Sequence, residues 1–220
     1  MTELQALHAR HSVRAYQKKP VDPDTANLLK DRIAQLNEQY DLHMQYIEPA
    51  GAVFGGLASK LTGWSNVPAY IAMIGKRGDD LDERCGYVGE QLVLYAQQLG
   101  LNTCWAGIFK RKQVTAEIAE DEKLVLAIAV GYGVDHGHPR RSKSVEDVTD
   151  VKDMPDWFKA GIEAALLAPT AVNQQKFTFT LDGETPSVSV STNGPFVRLD
   201  LGIVKYHFEL GSGKDSHIWL

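Results

Sequence analysis

Cysteine is nearly missing from this chain: its 220 residues hold two, Cys85 and Cys104, and these do not form a CxxC pair. No His/Cys cluster with zinc spacing surrounds them. A disulfide scaffold and a zinc module are therefore disfavoured, and two reduced structural thiols in a cytoplasmic protein are expected. A basic excess is missing too. The formal net charge is −5, which argues against a general nucleic-acid binder. Long apolar runs are absent: the longest clean one, "LVLAIAVG" at 124–131, is too short to cross a bilayer, and no membrane partner is expected. Met1 is followed by a polar, His-containing stretch without an apolar signal core, so secretion is not expected. The familiar catalytic signatures GxSxG, HExxH, GxxxxGK[ST] and GxGxxG do not occur. Seven histidines are scattered, and the lone HxH of His136 and His138 is too sparse to mark a metal.

What is present is ordinary for a globular protein, with 44% hydrophobic and 23% charged residues. The length suits one large domain or two small ones. Residues 2–9 read as a short helix. Residues 21–40 open with a helix-start signature, Asp22 at the cap and Pro23 at the first helical position, and Leu28, Leu29, Ile33 and Leu36 form one stripe. "AYIAMIG" (69–75) and "LVLAIAVG" read as strands buried on both faces. Helices are expected over 84–101, ended by Gly100, and over 156–168, capped by Asp156 and stopped by Pro169. "KFTFTL" and "SVSVS", split by "DGETP", read as a hairpin. The glycine-rich stretch 50–66 is expected to be a mobile surface segment. This mixed order argues for α+β, with a mixed or antiparallel central sheet flanked by helices. The acidic stretch 146–157 suggests a division into residues 1–150 and 151–220. A faint echo between "GYVGEQLVL" (86–94) and "GIVKYHFEL" (202–210) hints at two related halves.

Four stretches carry candidate chemistry. "RHSVRAY" (10–16) sets Arg10, His11, Ser12 and Arg14 within five residues. Guanidinium forks and a hydroxyl match a phosphate better than an ammonium does, although a capped turn with solvated charges has the same composition. "GHPRRSKSVEDV" (137–148) adds Arg140, Arg141 and Lys143, a second anion arm or a solvated turn. "GLNTCWAGIF" (100–109) is read as a helix end leading into a loop, where Trp105 needs something to pack on. Backbone N–H groups at Ala106, Gly107 and Ile108 could meet a flat ligand there. "APTAVNQQ" (168–175) follows a helix stop with small residues and amides that suit a planar ligand or a tight connector.

Together these stretches resemble the nitroreductase-like, FMN-dependent oxidoreductases. "RHSVRAY" resembles that family's Arg-Arg-Ser-x-Arg-x-Phe element, and "LLAPTAVNQQKFTF" its Ala-Pro-Ser-Ala-x-Asn-x-Gln-Pro-Trp element. "GEQLVLYAQQLGLNTCWAGIF" and "LAIAVGYGVDHGHPRRSKSVEDV" resemble its central helix with the following loop and its last core strand with a basic tail. The order departs from the usual one, because the Ala-Pro element comes last. Thr170 replaces Ser, and Lys176-Phe177 replaces Pro-Trp. The order resembles a divergent branch with rearranged or duplicated parts.

The resemblance implies roles residue by residue. Arg10, His11 and Ser12 would bind the FMN phosphate, Arg14 would reach the flavin N1/O2 edge or the ribityl chain, and Arg140 or Arg141 would add a tail-end phosphate contact. Trp105, Ala106, Gly107 and Ile108 would approach flavin N5 and O4. Pro169, Thr170, Ala171 and Asn173 would line the flavin from the other side of a subunit interface. Lys60 is a further polar candidate. The implied reaction takes hydride from NAD(P)H through the flavin to a nitroaromatic, quinone or similar small-molecule electron acceptor, with no side chain as catalytic acid or base. It also implies a homodimer or a single-chain pseudo-dimer. The rival is an FMN-binding store or sensor without turnover.

Overall fold

Two apolar runs make the middle of a sheet. In the computed structural model, which describes residues 1–56, 62–191 and 193–219, they are β2 (Ala69–Lys76) and β4 (Glu122–Gly131). They pair antiparallel, Ile71 opposite Ile128, with β1 (Gln45–Ile47) outside β2 and β3 (Asn102–Ala106) outside β4. Both faces of β2 and β4 are buried, so neither strand shows the polar–apolar alternation of a half-exposed antiparallel strand. The register slips between Met73 and Ile74. Opposite the slip, the Leu124 and Val125 carbonyls each accept from the Arg111 guanidinium at 2.8 Å, which satisfies backbone groups that an irregular ladder can leave unpaired.

Five helices occur among the described residues: α1 (Glu3–Ala9), α2 (Pro23–Tyr40), α3 (Leu81–Gln98), α4 (Asp156–Ala165) and α5 (Val197–Ser212). The α2 start is as read, with the Asp22 carboxylate accepting from the Asp24 and Thr25 N–H groups. Leu29, Ile33 and Leu36 are buried, while Leu28 is exposed. Helix α3 begins three residues before the predicted start. In α4, Asp156 is the first helical residue rather than the cap: Pro155 holds the cap position and the helix ends at Ala165. The hairpin pairs β5 (Phe177–Asp182) with β6 (Thr185–Val190), and Gly183 and Glu184 alone make its turn. The architecture is α+β with an antiparallel main sheet.

The chain forms two compact units. One holds residues 1–8, 82–91 and 140–220; the other holds 9–81 and 92–139. The core of the second includes Val13, Tyr16, Tyr70, Ile74, Cys104 and Ala129. Val53, Phe54 and Trp64 are buried in it as well, so these parts of the glycine-rich stretch are core rather than surface. Phe54 packs against Trp64 at 5.0 Å between ring centres. The first unit gathers Phe158, Phe179 and Phe208, with Phe179 and Phe208 stacked at 5.0 Å. Within it, α5 crosses the start of α3 very closely. A methyl group on Gly86 would lie 2.0 Å from the Leu199 carbonyl oxygen, and one on Gly202 would lie 1.9 Å from that of Glu83.

Candidate functional site

In the second unit, residues 10–17 run beside β3 and the end of β4. The Val13 N–H donates to the Thr103 carbonyl at 3.0 Å, and Gln17 N–H to that of Tyr132 at 2.8 Å. Tyr16 anchors the run from within, donating its hydroxyl to the Val13 carbonyl at 2.7 Å. Arg10 is 7% exposed, and its Nη2 lies 3.4 Å from Ser12 Oγ. The Arg14 guanidinium sits over the Trp64 ring at 5.9 Å. His11 is half-buried against Gly137, whose positive φ of 76° and missing side chain let the two segments touch: a Cβ there would lie 2.6 Å from His11 Cβ.

Cys104 shows how closely this set is gathered. Burial pushes its thiol up, while Arg14, a hydrogen bond with Ser12 and Arg10 oppose that rise. Two guanidinium groups and a hydroxyl therefore act on one thiol of β3, and Ser12 itself pairs with Thr103. That donor set fits a phosphate monoester, whose oxygens accept from charged forks.

Trp105 corrects the loop reading. It lies within β3, opposite Ile128, because the strand continues to Ala106. The true connector begins at Gly107, which is exposed, as is Ile108 at 65%. Lys60 lies outside the described residues.

The first unit brings together the other candidates. Arg140 Nη2 donates to the Leu166 carbonyl at 3.2 Å and also to that of Ala168, closing the chain beyond α4. Arg141 is exposed, and its carbonyl accepts from Asn173 Nδ2 at 2.8 Å. Pro169 is buried, Thr170 and Ala171 are half-buried, and Asn173 is exposed. Ala171–Asn173 is a tight turn whose Val172 lies in the left-handed region, at φ 48° and ψ 25°.

The sequence reading missed Asp200, and it took Gln174 and Gln175 only as amides that could meet a planar ligand. Asp200, on α5, accepts from the Ala171 N–H at 3.0 Å and from Gln174 Nε2 at 2.7 Å. Gln175, also buried, donates to Ser142 Oγ at 2.9 Å and accepts from the Lys143 N–H at 3.1 Å. The available signal for Asp200 was a carboxylate inside the apolar run "VRLDLGIV", on the face that α5 buries.

Comparison with known proteins decides the family. Residues 3–212 match the model of the family described as "Putative TM nitroreductase". The chain belongs to that family. The fold of the chain is also found in solved structures. A "putative nitroreductase" from Thermotoga maritima MSB8 is 20% identical with a TM-score of 0.64, covering 96% of this chain and 83% of its own. A nitroreductase with bound FMN from Bacteroides fragilis NCTC 9343 is 19% identical with a TM-score of 0.52, covering 69% and 100%. A "putative NAD(P)H:FMN oxidoreductase" from Staphylococcus epidermidis ATCC 12228 is 15% identical with a TM-score of 0.53, covering 69% and 96%. No curated protein matches the chain. Among the described residues, no helix is long and apolar enough to cross a membrane, and no group of three or more His, Cys, Asp or Glu side chains is placed to hold a metal.

Proposed function

We propose that this chain is an FMN-dependent oxidoreductase that draws on NAD(P)H and reduces a small organic acceptor of the nitroaromatic or quinone type. The observation that carries the reading is the set of Arg10, Ser12 and Arg14 beside β3, with Arg10 Nη2 3.4 Å from Ser12 Oγ and Ser12 paired with Thr103. A phosphate carrying close to two negative charges is the partner such donors suit best. The bound FMN of the Bacteroides fragilis neighbour supports the cofactor, and the likeness to the "putative NAD(P)H:FMN oxidoreductase" of Staphylococcus epidermidis supports the co-substrate.

In this reading Arg10, His11 and Ser12 grip the phosphate, and Arg14 sets positive charge against the ribityl chain or the N1/O2 edge. Trp105, Ala106, Gly107 and Ile108 offer backbone groups to the ring. Pro169, Thr170, Ala171 and Asn173 line it. We assign the tail-end phosphate contact to Arg141, because Arg140 already donates to two carbonyls at the end of α4 while Arg141 is exposed. FMN, when bound, supplies the hydride and electron chemistry. The protein binds, orients and sets the local charge, and none of its side chains moves a proton.

The chain also reads as a pseudo-dimer, with residues 151–220 standing in for part of a partner subunit. The support is reciprocal: Gly86 meets the residue three before Gly202, and Gly202 meets the residue three before Gly86. A two-fold crossing of related helices has this pattern.

The deciding experiment is the absorption spectrum of the purified protein with added FMN, followed by NADH or NADPH under nitrogen. The expected result is a retained flavin band that bleaches with one of them and returns when a quinone is added. A protein that stays colourless overturns the reading. Bound flavin that neither nucleotide bleaches favours the store or sensor.

A further inference from the structure

Residues 170–175 have a costly backbone. Val172, Asn173 and Gln175 all lie at positive φ, at 48°, 55° and 43°. For a β-branched residue this conformation is a true outlier. Burial does not compensate Val172, which is 87% exposed. Such strain persists only where the surroundings over-determine it, and it gathers at ligand sites.

Here the surroundings are a half-buried amide, a buried amide and a buried carboxylate. Asp200, 4% exposed, takes the Ala171 N–H on both oxygens and Gln174 Nε2 on one. Gln174 Nε2 also donates to the Pro195 carbonyl at 2.9 Å, which fixes the orientation of its amide. From the other side Gln175 Nε2 donates to Ser142 Oγ and to the Leu166 carbonyl. Lys143 Nζ donates to the Gln175 carbonyl at 2.7 Å, and the Gln175 N–H donates to Thr170 Oγ1 at 3.1 Å.

Asp200 is a poor choice for stability. Burial pushes its carboxyl up to about 6, even though Gln174, the Ala171 N–H and Arg140 favour the ionised form. Its contribution to stability is therefore whole below the ordinary Asp pKa and is lost as pH rises through about 6. At neutral pH the fold carries an ionised carboxylate that burial disfavours. A group that works against folding yet holds a strained, exposed turn is placed for that turn.

We propose that Asp200 is a positioning residue for FMN: through Ala171 and Gln174 it holds residues 170–175 in the backbone conformation that receives the flavin ring. The proposal rests on the reading that this segment lines the flavin. An Asn at 200 keeps one acceptor but turns an N–H₂ toward Gln174, whose amide cannot flip without setting its oxygen against Pro195.

The test compares Asp200→Asn with Phe179→Leu, a core change in the same unit, in the full-length protein. FMN affinity is read by fluorescence titration, thermal midpoint by calorimetry, and Ala171 amide exchange by NMR without flavin. Asp200→Asn is expected to weaken FMN about tenfold, the low end for losing a hydrogen bond to a charged group, and to speed Ala171 exchange. Phe179→Leu is expected to lower the midpoint at least as much while leaving FMN affinity within about twofold of wild type. Gln174→Leu, which removes the second arm, should weaken FMN in the same sense and serves if Asp200→Asn does not fold. Wild-type affinity in Asp200→Asn, or in Gln174→Leu where that stands in, overturns the positioning role alone. Equal FMN loss in Phe179→Leu shows a merely structural effect and overturns it as well. A wild-type protein that binds no FMN overturns the functional reading, and the positioning role with it.

Discussion

Arg10 and Ser12 are two residues apart, and no folding is needed to make them neighbours. The proposed phosphate grip is accordingly the part of the candidate site that the sequence groups without help from the fold. What the residue types could not reveal was Cys104 beside them, which arrives from another strand. We expect the Arg10→Ala/Arg14→Ala double variant to lose FMN affinity by several kcal/mol, because each charge-assisted contact is worth about 1.5–3 kcal/mol. Fluorescence titration measures this, and an unchanged dissociation constant would remove the phosphate assignment. Trp105 was legible as a residue that needs packing but was set in the wrong element. Asp200 had only the faint signal of a carboxylate inside an apolar run, because one acid in a helix is ordinary until the turn it serves is placed against it.

At the scale of elements, local chemistry accounted for most of what was read correctly. The Asp22 cap followed by Pro23 opens α2 because the carboxylate satisfies N–H groups that the helix leaves bare. Strands β2 and β4 were recognisable by length and apolar content, but their antiparallel pairing and the slip at Met73 depend on partners distant in the chain. The echo between 86–94 and 202–210 gains meaning only in the fold, where its two first glycines meet the partner helix's backbone. We expect Gly202→Ala to destabilise the protein by about 1–3 kcal/mol, since the added methyl overlaps a backbone oxygen that cannot rotate away. Gly86→Ala should cost about the same, and the double variant less than the sum if one helix shift relieves both clashes. Denaturant titration of the three variants checks this, and a neutral Gly202→Ala would contradict the close crossing.

At the scale of the whole molecule, the pseudo-dimer reading makes a quantitative claim. One FMN per chain should stay bound in dilute solution while sedimentation reports a monomer. A chain that releases flavin only as a dimer dissociates would instead assign the missing half to a second copy. By itself the sequence determined the α+β class, the start of α2, the apolar strands and the local cluster of arginines, because these follow from neighbours within a few residues. Only the tertiary structure decided that Trp105 lies in a strand, that part of the glycine-rich stretch is core, and that Asp200 holds a strained turn. Each of those depends on contacts between distant segments, and burial and hydrogen bonding at such contacts can reverse what a short window of residues suggests.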